Sequence, residues 1–327
     1  MIDQRIIDAF NKSHDFKLED SLIMLAYVGS TSHNTYVPKD DPSCIDDVDM
    51  MGVVVPPLDY VLGLKSFEHW TFAFEELDVV LYSLDKFVRL LVKSNPNVLG
   101  TMWLLDEHYI LEDETWTKLK VERRLFSTKA AHSSFAGYAS GQLKKMTSFD
   151  LQTQEKWEKA IALIESAGWT KEQIINDEHL EMPNSFFSRI DPVGIWEDLQ
   201  FARGDIKSIH AKHFQGYMGE KRKNLVKKYG YDTKNAAHLI RLLRMCCEFL
   251  ETGELQVYRT DDAQEIKDIK SGKWPLEEVQ EEAKRLFEWS HNRMQFSTLP
   301  EEPDFETINK LLVQLYEEHY WIYPDRR

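Results

Sequence analysis

The feature that most constrains this chain of 327 residues is the order of its periodicities. Strand-like patterning is confined to the residues before about position 120, and helix-like patterning takes over after it. LIMLAYVGS (22–30), IDDVDMMGVVVPP (45–57), FEHWTFAF (67–74) and LDVVLYSL (77–84) are short, β-branched or aromatic runs bounded by Gly, Pro and Asp. Helical spacing is read at 1–20 and at 85–105, the latter interrupted at Asn95-Pro96-Asn97. It then recurs at 127–148, 154–167, 191–213, 234–252, 277–295 and 304–319. Strands first and helices afterwards predict an α+β fold, because a parallel α/β sheet would need the two in alternation. The expected architecture is a small mixed β-sheet core with an α-helical C-terminal region. We expect a head at 1–120 and a helical tail at 121–327, packed together, since no Gly/Ser linker separates them.

Composition narrows the function classes. Hydrophobic residues make up 43% of the chain, enough for a real core. No apolar run approaches the ~18 residues of a membrane span. The opening MIDQRIIDAFNKSHDF is too polar for a secretory signal. Cys44, Cys246 and Cys247 have no metal-site spacing and an adjacent pair makes a poor staple, so a reducing cytoplasm is the expected setting. The formal net charge is −15. That argues against nucleic acid covering the whole surface, though not against a basic stripe on an acidic body.

The strongest chemical signal is Gly29-Ser30, then Asp47-Val48-Asp49, then Asp78. Asp47 and Asp49 stand two apart on an expected strand and so share a face. Two carboxylates side by side repel unless a cation lies between them. Hard oxygen ligands suit Mg²⁺, with Mn²⁺ as a substitute, and a third carboxylate on a neighbouring strand completes a site for two ions. Gly29-Ser30 at a strand end offers N–H groups and a hydroxyl to a triphosphate if a helix starts there. An Asp-x-Asp alone is usually a solvated strand face or turn. The upstream Gly-Ser, the strand context and the apolar-flanked Asp78 are what lift this one. Asp46 points the other way, and Glu75 and Glu76 compete with Asp78 for the third position.

These residues resemble the DNA polymerase beta-like nucleotidyltransferase superfamily. Longer segments resemble one branch of it, the RNA-ligase-associated RlaP type: GSTSHNTYVPKDDPSCIDDVDMMGVVVPPLDYVLGL (29–64), DVVLYSLDKFVRLLVKSNPNVLG (78–100), FAGYASGQLKKM (135–146), KNAAHLIRLLRMCCEFLETGEL (234–255) and STLP (297–300). The resemblance implies transfer of a nucleoside monophosphate from an NTP such as ATP to an acceptor hydroxyl, with release of pyrophosphate. It implies triphosphate binding by Gly29 and Ser30 and metal ligation by Asp47, Asp49 and Asp78. It makes 1–120 the catalytic domain and 121–327 the nucleotide- or substrate-binding domain. Two departures stand out. The loop 31–46 is longer than the superfamily's usual gap, and Gly100 stands where relatives often carry an acid. A non-catalytic nucleotide- or RNA-binding regulator on the same scaffold is the alternative, and the acceptor is left open between an RNA end, a protein hydroxyl and a small molecule.

In the segment 234–252, Lys234, His238, Arg241 and Arg244 share one arc of the helical wheel, with Leu239, Leu242, Leu243, Cys246, Phe249 and Leu250 opposite. That arc is read either as a solvated face with Glu248 paired to Arg244 or Arg241, or as a cationic row in which Lys234, His238 and Arg241 face nucleotide phosphates. Residues 206–228 hold seven Lys/Arg and one acid, Glu220. Such a stretch is either an exposed helix balancing acidic neighbours or a segment that steers an anionic partner such as RNA, tRNA or the triphosphate. Tyr138 and the tryptophans are read as core or groove filler.

Overall fold

Alternation along the strands divides the apolar side chains between two faces of one sheet. The computed structural model describes residues 2–38, 47–75, 77–147 and 220–324. Its strands are β1 (Leu22–Tyr27), β2 (Val48–Val54), β3 (His69–Phe74), β4 (Leu77–Ser83) and β5 (Tyr109–Glu112), in the spatial order β3-β4-β2-β1-β5. β2 and β4 run parallel and the other neighbours antiparallel, so the sheet is mixed as expected. Along β2, Met51 and Val53 enter one core while Met50 and Val54 enter the other, as the pleat dictates. A bulge in β1 between Leu22 and Met24 keeps the two sets in phase.

The helices are α1 (Gln4–Ser13), α2 (Leu18–Ser21), α3 (Gly29–Ser32), α4 (Leu58–Val61), α5 (Leu84–Val92), α6 (Pro96–Gly100), α7 (Glu114–Val121), α8 (Ala130–Thr147), α9 (Glu220–Tyr229), α10 (Thr233–Thr252), α11 (Ala263–Lys270), α12 (Leu276–Phe296) and α13 (Phe305–Ile322). One face of the sheet is covered by α1, whose Ile6 and Phe10 pack with Phe16, Leu18 and Phe67. Asp3 caps α1 by accepting the Arg5 N–H. The other face receives Phe87 and Leu91 of α5, Trp116 of α7, Phe135 of α8, Phe249 of α10 and Leu315 of α13. Pro96 cannot continue a helix, so the segment 85–105 is interrupted at Asn95-Pro96-Asn97, as expected, and forms α5 and α6.

Met1–Leu143 and Lys234–Arg327 make one compact unit, which takes in residues on both sides of position 120, and Lys144–Thr233 makes a second. The helices read at 154–167 and 191–213 lie outside the described residues, as does 206–219 of the basic stretch; 220–228 falls in α9. β5, α7 and α11 are additions that periodicity did not mark. No helix among the described residues is long and apolar enough to cross a membrane.

From Thr233 to Leu250, α10 is buried at every position except Lys234, His238, Arg241, Arg244 and Glu248, which are half-buried. Their spacing of four, three, three and four draws one stripe along the helix. The arc on the helical wheel is therefore real, and its residues are half-buried rather than fully solvated.

Candidate active site

β1 ends at Tyr27 and the chain turns at once into α3, a single turn that begins at Gly29. The Val28 N–H donates to the Asp49 carbonyl at 2.9 Å and ties this turn to the start of β2. Gly29 has φ 62°, a region that costs L residues about 1–2 kcal/mol. Space is the stronger constraint. A Cβ at Gly29 would overlap Asp49 Oδ2 and lie 2.9 Å from its Cγ. Glycine is what lets the Asp49 carboxylate rest against the backbone of the turn. Ser30 is half-buried in the same turn, and its carbonyl accepts the Thr35 N–H at 2.9 Å.

The parallel register sets Asp49 beside Asp78. In-register residues of neighbouring strands project to one face, the face on which Met51 and Val53 meet the helical core. Asp47 immediately precedes β2; it and Asp49 are half-buried, while Asp78 is exposed. Glu75 turns the chain between β3 and β4 at φ 53° and lies 3.5 Å from Arg5, away from this face; Glu76 lies outside the described residues. Among the described residues no group of three or more His, Cys, Asp or Glu side chains converges closely enough to hold a metal ion. The donor set is thus hard oxygens in a cradle that a Cβ at Gly29 would fill. That fits Mg²⁺, which takes one or two carboxylates and leaves the rest of its shell to phosphates and water.

α10 brings Arg241 to this end of the sheet. Burial, followed by the neighbouring Arg259, pushes its guanidinium down to about 9, against the pull of Asp49 and Asp262. Among the described residues Arg241 makes no hydrogen bond or ion pair. His238 lies one turn earlier, near His33, and Lys234 one turn before that on the same stripe. Arg244 is engaged differently, bonding Asp262 (3.1 Å), Glu265 (2.6 Å) and Glu282 (3.1 Å). Glu248 pairs with neither Arg244 nor Arg241. It receives both terminal nitrogens of Arg259 at 2.5 and 2.7 Å, while Arg259 also forks onto Asp262 at 2.7 and 2.9 Å.

Sequence reasoning missed His33, Arg259 and Lys270. His33 is buried with Nδ1 2.9 Å from the Val257 carbonyl; a carbonyl only accepts, so Nδ1 carries the proton. Burial, and then Arg241, hold this imidazole neutral, well below the ordinary histidine value. Arg259 is 4% exposed, and its carbonyl accepts from Asn34 Nδ2 at 3.0 Å. The buried Lys270 donates Nζ to the Thr35 carbonyl at 2.9 Å. Together they lock the 33–35 loop to the segment 257–270. The one signal in the sequence was the long gap that contains His33; Arg259 sits in a loop with no period to betray it.

A mixed sheet with Gly-Ser at the end of one strand, Asp-x-Asp entering the next and a third carboxylate in register on its parallel neighbour is the arrangement that the resemblance to polymerase beta-like nucleotidyltransferases implies. Residues 4–163 match the model of RlaP, the RNA repair pathway DNA polymerase beta family. The match spans just under half of the chain and takes in Gly29, Ser30, Asp47, Asp49 and Asp78. A solved structure of a nucleotidyltransferase-like protein from Exiguobacterium sibiricum 255-15 is 11% identical over 90% of this chain and 73% of its own, with a TM-score of 0.26. No curated protein matches the chain.

Proposed function

We propose that this chain transfers a nucleoside monophosphate from an NTP to the 3′ hydroxyl of an RNA, with pyrophosphate leaving. The observation that carries the reading is Asp49 lodged against Gly29, in register with Asp78 and within the field of the half-buried Arg241. Asp47 and Asp49 would hold Mg²⁺, or Mn²⁺ in its place, with Asp78 as the third ligand for a pair of ions. When bound, the metal supplies neutralisation of phosphate charge and acidifies the attacking hydroxyl.

The chain's own groups divide the remaining work. Asp78 is exposed, so an arriving acceptor can reach it, and its carboxylate takes the hydroxyl proton. Gly29 and Ser30 present N–H groups and a hydroxyl to the triphosphate. Arg241, with His238 and Lys234 along the same stripe, faces the phosphates with positive charge. The burial that strains Arg241 in the free protein is relieved when an anion arrives, so its attraction is spent on the bound nucleotide. An RNA acceptor is supported by the repair-pathway description of the family and by the basic composition of 206–228.

The test is transfer of α-labelled NTPs, each in turn, to single-stranded RNA ending in a 3′ hydroxyl or a 3′ phosphate, with pyrophosphate measured in parallel. Label should enter only the 3′-hydroxyl RNA, need Mg²⁺, and disappear in Asp47→Ala and Asp49→Ala proteins that unfold at the wild-type temperature. Undiminished transfer by Asp49→Ala would refute the assignment. RNA and NTP binding without any transfer by the wild type is the result expected of a regulator on this fold.

A further inference from the structure

The helical layer stops short of one edge of the sheet. On β3, Trp70 and Phe72 pack on the α1 side, while His69, Thr71 and Ala73 stand opposite Tyr82, Val80 and Asp78 of β4 and share their face. His69, Thr71 and Ala73 are exposed, and so is Asp78. Further in, on β2 and β1, the same face is buried under helices. What remains is a partly open strip, exposed at Asp78, Ala73, Thr71 and His69 and half-buried at Val80 and Tyr82, that runs four residues or about 13 Å along the strand.

Rings gather at the far end. His69 lies over against Tyr82, with centroids 6.3 Å apart and planes tilted by 35°. Tyr138 of α8 is 37% exposed, and its hydroxyl accepts from Asn95 Nδ2 at 2.7 Å. Asn95 is itself immobilised, since its Oδ1 caps α6 by accepting the Asn97 and Val98 N–H groups. The branch-marking Asn-Pro-Asn thus does two physical things, starting α6 and aiming Tyr138. Burial raises the Tyr82 phenol, and Tyr138 is near enough to add to that effect. Lys86, bridged to Glu68 at 2.7 Å, bears on the same phenol and puts a cation at this end. Tyr138 is therefore partly open to solvent, which excludes the core and leaves the groove of the two places expected for it.

We infer that this strip, from Asp78 across Ala73 and Thr71 to His69, Tyr82 and Tyr138, is the platform on which the single-stranded 3′ segment of the RNA acceptor lies, with upstream bases stacked on the rings. The inference rests on the proposed nucleotidyl transfer and names the residues that present its acceptor. Three features favour nucleic acid as the occupant. The strip is continuous with the carboxylate assigned to the acceptor hydroxyl. Its length exceeds one nucleotide, so bases upstream of the reacting end reach the rings. Ring faces open to solvent tolerate any base.

The experiment uses the full chain and a single-stranded RNA carrying 2-aminopurine two to four nucleotides from its 3′ end, without NTP or metal. Stacking should quench the fluorophore saturably in the wild type. His69→Ala and Tyr138→Leu should each weaken binding about 5- to 100-fold, the range that loss of one base–ring stack gives. Tyr138→Phe, which keeps the ring, should lose less. In transfer assays the same variants should raise KM for RNA and leave KM for NTP unchanged. Absence of quenching in the wild type, or equal quenching in all variants, would overturn the platform even if transfer to RNA occurs. Quenching lost in the variants would sustain the platform even if the wild type transfers nothing, so the two readings fail separately.

Discussion

Replacing Gly29 with alanine tests the physical core of the site. Two costs add. The dihedral φ 62° is one that an L residue adopts at about 1–2 kcal/mol. The new methyl also overlaps Asp49 Oδ2 and sits 2.9 Å from Cγ, where real Cβ atoms essentially never stand. Either the turn or the carboxylate must then move by roughly an ångström, a misplacement that costs on the order of 100-fold in rate. Gly29→Ala should therefore lower stability by at least about 1–2 kcal/mol, which for a unit of this size is several degrees in Tm, and reduce transfer about 100-fold. Gly230→Ala is the control: φ is 84° and a Cβ there meets nothing within 4 Å. It should show the dihedral cost alone, with transfer unchanged. A double-mutant cycle separates the clash from the dihedral without any appeal to activity. In an Asp49→Ala background the overlapping oxygen and Cγ are gone, so Gly29→Ala should cost about 1 kcal/mol less than in the wild type, measured by urea unfolding. Additive effects, or a Gly29→Ala enzyme within twofold of wild type, would refute the reasoning.

Other expectations follow from the surroundings of the site. Arg259→Met strips a buried cation from Glu248 and Asp262 and should cost about 3–5 kcal/mol in urea unfolding; Arg259→Lys should rescue little, because an ammonium cannot fork onto both carboxylates. Arg241→Met has the opposite character: burial disfavours its charge, so the variant should unfold no earlier than wild type while its KM for NTP rises, and a clear loss of stability would make Arg241 a structural cation instead. His33 is held neutral when folded, its value depressed below the unfolded one near 6.5. Its stabilisation is complete above pH 6.5 and declines as pH falls below it, by up to about 1.4 kcal/mol per unit, and His33→Gln should flatten that part of the stability-against-pH curve.

The legible parts of this protein are those with a period or a motif. β1 to β4 announced themselves through β-branched runs, and α8, α10, α12 and α13 through helical spacing. β5 did not, because four residues on a sheet edge acquire their identity from pairing with β1 rather than from their own pattern. α11 was missed because its Ile266 and Ile269 are too few to mark a stripe. Asp47, Asp49 and Asp78 were singled out from chemistry and spacing, and the parallel register places Asp49 beside Asp78 on neighbouring strands.

The stripe on α10 separates the two sources of information most clearly. Sequence alone determined that Lys234, His238, Arg241 and Arg244 share one side of a helix, since 100° per residue is a property of the backbone. Only the tertiary structure decided what that side meets. Arg244 finds three carboxylates from α11, α12 and the residue before α11, whereas Arg241, three residues earlier, lies in the field of Asp49 without a bonded partner among the described residues. The same division holds for the −15 charge of the whole chain. Composition sets the sum, but Coulomb energy depends on distance and burial, so which acids answer cations and which answer solvent is settled when the chain folds.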